Sequence, residues 1–178
     1  MDGTVTMAGI KAVFLDIDGI LTDGTVLIDA SGGESKRISF DDIDAVFRIK
    51  RAGIAIGFLT GESTAFCDYV QRRFEPEFFV RGCKDKLAAV KTLLASHGLK
   101  REEVCFVGDS LHDASLLEYL PHSFVPMDVA DDVKAFSKDV LPAARGKGVV
   151  RALASILVPV SGAAAGGGKP SSRGSARK

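Results

Sequence analysis

Apolar residues along this chain fall into two kinds of run. The first kind is short and continuous: "AVFLDI" at 12–17, Ile54 to Leu59 in "IAIGFLTG", and Val104 to Gly108 in "VCFVGDS". None alternates with polar residues, and each ends in turn chemistry, the pattern of a strand covered on both faces. "SFVPM" around Phe124 and "FFV" at Phe78 to Val80 predict two further strands. The second kind has helical spacing. Asp42 to Ala52 carries Ile43, Val46, Phe47 and Ile49 on one side, and Ser63 to Phe74 opens with a serine suited to an N-cap. Leu87 to His97 stacks Leu87, Val90, Leu93 and Leu94 on one stripe and stops at Gly98, and a shorter helix is expected over Asp113 to Tyr119. Strands that alternate with helices imply parallel βα units. The expected fold is therefore α/β, with a doubly wound, Rossmann-like parallel sheet.

One segment breaks the rhythm. Gly24 to Phe40, "GTVLIDASGGESKRISF", alternates apolar and polar residues on both sides of "ASGGE" and predicts a β-hairpin projecting from the sheet. Its apolar face, which includes Val26 and Ile28, has no evident cover within one chain, so a homo-oligomer is expected. From Ser161 the sequence becomes small, basic and low in complexity. A single domain over 8–158 and a disordered tail over 159–178 follow.

Composition narrows the function. The hydrophobic fraction is 46%, ample for a core, and no apolar run is long enough to span a bilayer. Lys plus Arg equals Asp plus Glu, 23 each, so no global basic field points to nucleic acid. The N-terminus lacks the basic-then-apolar order of a secretory signal. Cys67, Cys83 and Cys105 are odd in number and widely spaced, which fits reduced thiols in a cytoplasmic protein.

The polar residues at the strand ends carry the chemistry. In open α/β sheets, ligands bind beyond the carboxyl ends of the strands. The first strand delivers Asp16 and Asp18 there, the second Thr60 and Gly61, and the third Asp109 and Asp113. Lys84 and Lys86 fall just before or at a helix start. Two like charges at a buried strand tip repel each other unless something cationic joins them. Converging carboxylates suit a hard cation such as Mg²⁺, and cation and lysine together would hold a phosphate.

These residues resemble the four signature motifs of the haloacid dehalogenase-like phosphatase superfamily. "DIDGILTDG" resembles the first, "LTGES" the second, "KDK" the third with Lys86, and "GDSLHD" the fourth, in the right order over roughly Lys11 to Val158. The resemblance implies a phosphatase that works through an aspartyl-phosphate. Asp16 would be the nucleophile, and Asp18 would protonate the leaving alcohol and then activate water. Mg²⁺ would be held by Asp16, the backbone carbonyl of Asp18, and Asp109. Thr60 and Gly61 would meet the phosphate, Lys86 would neutralise it, and Asp113 would orient Lys86 or a metal-bound water.

Spacing refines the resemblance. About 35 residues separate Gly24 from Thr60 and about 25 separate Thr60 from Lys86, which leaves no room for a cap domain. This pattern, with "ARGKGVVRAL" near the end, is similar to the capless, tetrameric branch typified by 3-deoxy-D-manno-octulosonate 8-phosphate phosphatases. That branch implies a homotetramer whose hairpin packs between subunits while a neighbour helps to close the site. Glu62 stands where the octulosonate enzymes carry arginine, which resembles relatives acting on nine-carbon 2-keto sugar acid phosphates. Arg72 or Arg73 would then meet the substrate carboxylate. Arg145, Lys147 and Arg151 read either as a solvated loop and helix start or as an anion contact in an adjacent subunit. His112 reads as a loop residue or a neighbour of the site, and His97 and His122 as structural or exposed. The implied substrate is the phosphate monoester of a 2-keto-3-deoxy sugar acid, an octulosonate 8-phosphate or a nonulosonate 9-phosphate. A non-catalytic module of the same fold, associated with sugar-nucleotide synthesis, is the alternative. Intact Asp16 and Asp18 favour catalysis.

Overall fold

All three continuous apolar runs are neighbouring strands of one parallel sheet. β1 (Ala12–Leu15) pairs on one side with β4 (Ala55–Leu59) and on the other with β6 (Val104–Val107). β5 (Phe78–Val80) extends the sheet beyond β4, and β7 (His122–Pro126) and β8 (Asp139–Leu141) extend it beyond β6. The order is β5-β4-β1-β6-β7-β8, parallel at every pairing. The chain is seen here in a computed structural model that describes residue 7 and residues 9–159. The basic, small-residue tail expected from Ser161 lies outside the described residues.

Burial explains why the strand runs did not alternate. Val13 and Leu15 of β1 face a core shared with Ile56, Phe58 and Phe74. Ala12 and Phe14 face a second core with Leu59, Phe106 and Leu116. Every residue of β1 is therefore fully buried. The first core is covered by α1 (Phe40–Arg51), α2 (Ala65–Phe74) and α6 (Val149–Leu157). The second is covered by α3 (Lys86–His97), α4 (Ala114–Tyr119) and the single turn α5 (Asp131–Lys134). Each large apolar side chain taken from water in this way contributes roughly 1.5–3 kcal/mol.

Helix ends differ from expectation by one or two residues. α1 starts at Phe40 rather than Asp42, and α2 starts at Ala65 with Thr64, not Ser63, at its N-cap. α3 ends as expected at Gly98, which is left-handed at φ 63°. The sequence reading did not specify β8 or α5, and of α6 it offered only a helix start near Arg151 as one alternative. The start of α6 is held from a distance. Asp42, buried in α1, accepts the backbone N–H of Gly148 at 2.9 Å and of Arg151 at 3.1 Å. These are orphan donors of a helix N-terminus, and the carboxylate ties α6 to α1.

The hairpin is present and short. β2 (Leu27–Ile28) pairs antiparallel with β3 (Glu34–Ser35) around a turn held by Asp29, whose carboxylate accepts from the N–H groups of Ser31 and Gly33. An isolated bridge between Thr22 and Ile38 closes its base. No cap domain interrupts the sheet: the hairpin and α1 fill the stretch from Gly24 to β4, and α2 and β5 fill the stretch from β4 to α3. No helix among the described residues is long and apolar enough to cross a membrane.

Candidate active site

At the carboxyl edge of the sheet lies a cleft of about 340 Å³, lined by Asp16, Asp18, Thr60, Gly61, Glu62, Lys86 and Asp109 among others. Each comes from a loop that leaves a strand or opens a helix. The N–H of Asp16 still bonds to Val107 across the sheet at 3.0 Å, so the first aspartate is fixed by the ladder itself. The chain then turns sharply, with the N–H groups of Leu21 and Thr22 both bonded to the carbonyl of Ile17. Thr60 is pinned between Val80 and Cys83 by two backbone bonds of 2.9 Å. Its buried hydroxyl accepts the N–H of Glu62 at 3.1 Å, which leaves the hydroxyl proton free to donate. Lys86 is the first residue of α3, whose N-cap Asp85 accepts from Ala88.

Beneath the cleft runs a buried ion network. The Nζ of Lys86 stands 2.7 Å from Asp16 Oδ2 and 2.7 Å from Asp113 Oδ1. Burial would lower Lys86, but the two carboxylates outweigh it and hold the ammonium above its ordinary value. Asp113 is fully buried, and its Oδ2 accepts the N–H of Asp109 at 3.0 Å and of Ser110 at 3.3 Å. It therefore fixes both Lys86 and the loop that carries Asp109. Burial pushes Asp16 well above the usual carboxylate range, against the pull of Lys86. Asp109 is pushed up to about 6 by burial and by repulsion from Asp113, against the pull of Arg145.

Carboxylate oxygens of Asp16, Asp109 and Asp113 lie within 4.8 Å of one another. Two glycines make the approach possible. A Cβ on Gly19, at φ 83°, would stand 1.9 Å from Asp109 Oδ2, and one on Gly108 would stand 2.6 Å from Asp113 Oδ2. Three carboxylates against one ammonium, with Arg145 at 3.6 Å on the outer side of Asp109, leave the cluster net negative and receptive to a cation. Asp16 also accepts the N–H of Ile17 on Oδ1 at 2.6 Å and meets Lys86 with Oδ2, but Asp16 and Asp109 line the cleft and Asp113 does not, so these two are placed to offer an oxygen to a ligand there. Oxygen-only donors of this kind suit a hard divalent metal.

The structure moves one expected residue away from the cleft. Arg73 lies in the last turn of α2 with its guanidinium 5.4 Å from the centre of the Phe47 ring. A crossover helix starts near the cleft and runs back along the sheet, so its last turn lies about 15 Å from that edge. Arg73 thus packs on α1 and does not meet a ligand in its own chain's cleft. Arg72, beside it, is exposed on the same turn. Arg145 is nearer than expected: its Nη1 lies 3.6 Å from Asp109 of the same chain, and its backbone N–H bonds to Asp128 at 2.9 Å. Arg151 pairs with Asp41. His112 is exposed at the cleft, and His97 packs edge-on against Phe78. The sequence reading missed Lys36, on the hairpin, whose Nζ is 2.7 Å from Asp18 Oδ1. It also missed Cys83 as a cleft residue, with a thiol pushed up by burial.

Comparisons with known proteins agree with this architecture. The family described as haloacid dehalogenase-like hydrolase matches residues 78–153. The 3-deoxy-D-manno-octulosonate 8-phosphate phosphatase of Haemophilus influenzae is 27% identical over 159 residues, covering 88% of this chain and 87% of its own. Among solved structures, the same phosphatase from Moraxella catarrhalis, in complex with a magnesium ion, phosphate and KDO, superposes with a TM-score of 0.82 at 25% identity. That match covers 86% of this chain and 88% of the other. A cobalt-bound form of the Haemophilus influenzae enzyme gives a TM-score of 0.80 at 26% identity, covering 85% and 89%. The chain is similar to the haloacid dehalogenase-like hydrolases, in sequence over residues 78–153 and in fold over most of its length. It has no cap domain among the described residues, and its enzymatic class is phosphoric monoester hydrolase. For this hydrolase, the paired acids at the tip of β1 stand on the strand that lies between β4 and β6 in the sheet.

Proposed function

We propose that this hydrolase removes the phosphate from a 2-keto-3-deoxy sugar acid phosphate, with Mg²⁺ as cofactor and through an aspartyl-phosphate intermediate. The observation that carries the reading is the buried Asp16, held by Lys86 at 2.7 Å at the tip of the strand, with Asp109 at its side. A carboxylate so placed is suited to act as a nucleophile toward a phosphate met in the cleft by Thr60 and Lys86. The relatives that act on 3-deoxy-D-manno-octulosonate 8-phosphate support the substrate class.

In the first step an oxygen of Asp16 attacks phosphorus. The bond from phosphorus to the sugar oxygen breaks with its electron pair on oxygen, and Asp18 gives that oxygen a proton. In the second step Asp18 takes a proton from water as the water oxygen attacks the phosphorus. Asp16 leaves as a carboxylate and inorganic phosphate is released. The Thr60 hydroxyl and Lys86 hold phosphate oxygens throughout, and Asp113 keeps Lys86 in place. Asp16 and Asp109, with the carbonyl of Asp18, would hold Mg²⁺, which when bound screens the nucleophile from the phosphate charge.

Glu62, exposed at the rim of the cleft, favours the nine-carbon acids within this class. A carboxylate there accepts hydrogen bonds from sugar hydroxyls and repels a substrate carboxylate placed beside it. The test is a panel of sugar phosphates and a generic aryl phosphate, assayed by phosphate release with Mg²⁺ and with chelator. Metal-dependent turnover with the highest kcat/KM on 2-keto sugar acid phosphates is expected. Turnover that ignores chelation, or a preference for neutral sugar phosphates, would overturn the reading.

A further inference from the structure

The hairpin delivers one charged group to the chemistry. Lys36 follows directly after β3, in a segment whose other residues are mostly exposed. Its own side chain is only 8% exposed, with Nζ 2.7 Å from Asp18 Oδ1 and 5.4 Å from the centre of the Phe66 ring. Three segments therefore meet at one ammonium: the hairpin, the turn after β1, and the start of α2. A buried ammonium needs an oxygen acceptor, and among the described residues the side chain it pairs with is Asp18. Beside it opens a second cavity of about 290 Å³, lined by Asp18, Lys36, Thr25, Glu34 and Glu62 among others. This cavity shares Asp18 with the main cleft, so the Lys36–Asp18 pair stands on the boundary between them.

We propose that Lys36 is a positioning residue that holds Asp18 in the orientation from which it protonates the leaving alcohol. The proposal rests on the role given to Asp18 above. Lys36 and the hydroxyl of Thr22, at 3.4 Å, both meet Oδ1 of Asp18. Among the described residues no hydrogen-bond partner meets Oδ2. Oδ1 is thus anchored, which leaves Oδ2 as the oxygen free to face the leaving group. As the bond from phosphorus to the sugar oxygen breaks, the electron pair goes to that oxygen and the Oδ2 proton follows it. Asp18 becomes a carboxylate at the same moment, and the Lys36 ammonium is placed to receive the new charge. A lysine on a projecting hairpin also makes proton transfer depend on the hairpin being seated.

Such a role has a signature that packing alone lacks. An alkyl alcohol leaves poorly without a proton, whereas p-nitrophenol leaves well without one. The test compares kcat/KM on 3-deoxy-D-manno-octulosonate 8-phosphate, an alkyl monoester, with kcat/KM on p-nitrophenyl phosphate. Lys36→Met keeps the stem over Phe66 and deletes the charge. The ratio of alkyl to aryl kcat/KM is expected to fall about tenfold to a hundredfold, a part of the usual worth of a positioned general acid. Lys36→Arg should restore most of it. An unchanged ratio, whether through equal losses or none, overturns the proposal, as does a fallen ratio that arginine does not rescue. Should Lys36→Met lose its cooperative melt, Lys36→Gln gives the same comparison. A wild-type protein that cleaves neither ester overturns the functional reading as well, so the two failures are distinguishable.

Discussion

Replacing Asp109 with asparagine should stabilise the metal-free protein at neutral pH while abolishing its response to Mg²⁺. Asp109 has a side chain only 12% exposed, with Arg145 no closer than 3.6 Å. Burial and the neighbouring Asp113 raise it from 3.8 to about 6. An acid whose folded value lies above its unfolded value binds more protons in the native state. Its contribution to stability is fully present below the unfolded value and is lost as pH rises through the folded one, here near 6. At pH 7.5 the native state therefore carries a cost of about 3 kcal/mol from this carboxylate alone. Asparagine removes that cost, less whatever the loss of the Arg145 contact takes back. The net gain should be about 1–3 kcal/mol, or roughly 2–10 °C in Tm for a chain of this size.

Thermal melts in chelator from pH 4 to 8 test the reasoning. The variant should melt above the wild type at pH 7.5, and the gap should close as pH falls toward 4. With Mg²⁺ at about a hundredfold excess over its Kd, the wild type should gain about 2.7 kcal/mol and the variant almost nothing. A variant no more stable than wild type at pH 7.5 in chelator, or a gap that widens on acidification, would refute the account of strained, unneutralised carboxylates.

Three further outcomes follow from geometry already described. Asp42→Ala leaves the N–H groups of Gly148 and Arg151 without their buried partner, so stability should drop by about 2–5 kcal/mol; an unchanged Tm would show that the tie between α1 and α6 is idle. Glu62→Arg should lower the kcat/KM ratio of nine-carbon over eight-carbon 2-keto acid phosphates about tenfold or more, the scale of one charge-assisted hydrogen bond, and an unchanged ratio would mean that Glu62 does not read the substrate. Val26, Leu27 and Ile28 are 47%, 60% and 59% exposed on the hairpin. Such a patch needs cover, so light scattering should report a tetrameric mass that Leu27→Ser with Ile28→Ser reduces; a monomeric wild type at micromolar concentration would rule this out.

The strands and the acids at their tips were legible because both signals are local. A strand buried on two faces writes a continuous apolar run, and the crevice lies just past its last residue. Asp16, Asp18, Thr60 and Asp109 are each within three residues of a strand end. β8 and α6 lacked that clarity. β8 is a three-residue edge strand with two exposed positions, and α6 begins from a glycine whose orphan donors are met by Asp42, 106 residues away. No window of sequence contains both partners of such a contact. The same holds for Lys36 and Asp18, which lie 18 residues apart with a whole hairpin between them.

Lys86 and Arg73 show where the sequence held more than its residue types alone suggest. Both are cations on helices that follow strands of the sheet, and both were assigned to the ligand. In a parallel sheet each crossover helix begins near the carboxyl edge and travels away from it, at about 1.5 Å per residue. Lys86 is the first residue of α3 and sits at the cleft, 2.7 Å from Asp16. Arg73 is the ninth residue of the ten in α2, and it stacks on Phe47 next to the buried Phe74. Position within the helix, which the spacing from the preceding strand already reveals, separates the two roles. A basic residue in the first turn after such a strand can reach a ligand in its own chain's cleft, whereas one in the last turn of a ten-residue helix cannot. Lys36 escapes this rule because the hairpin is not a crossover. It leaves the carboxyl edge and returns to it, so a residue on its second arm comes back to Asp18.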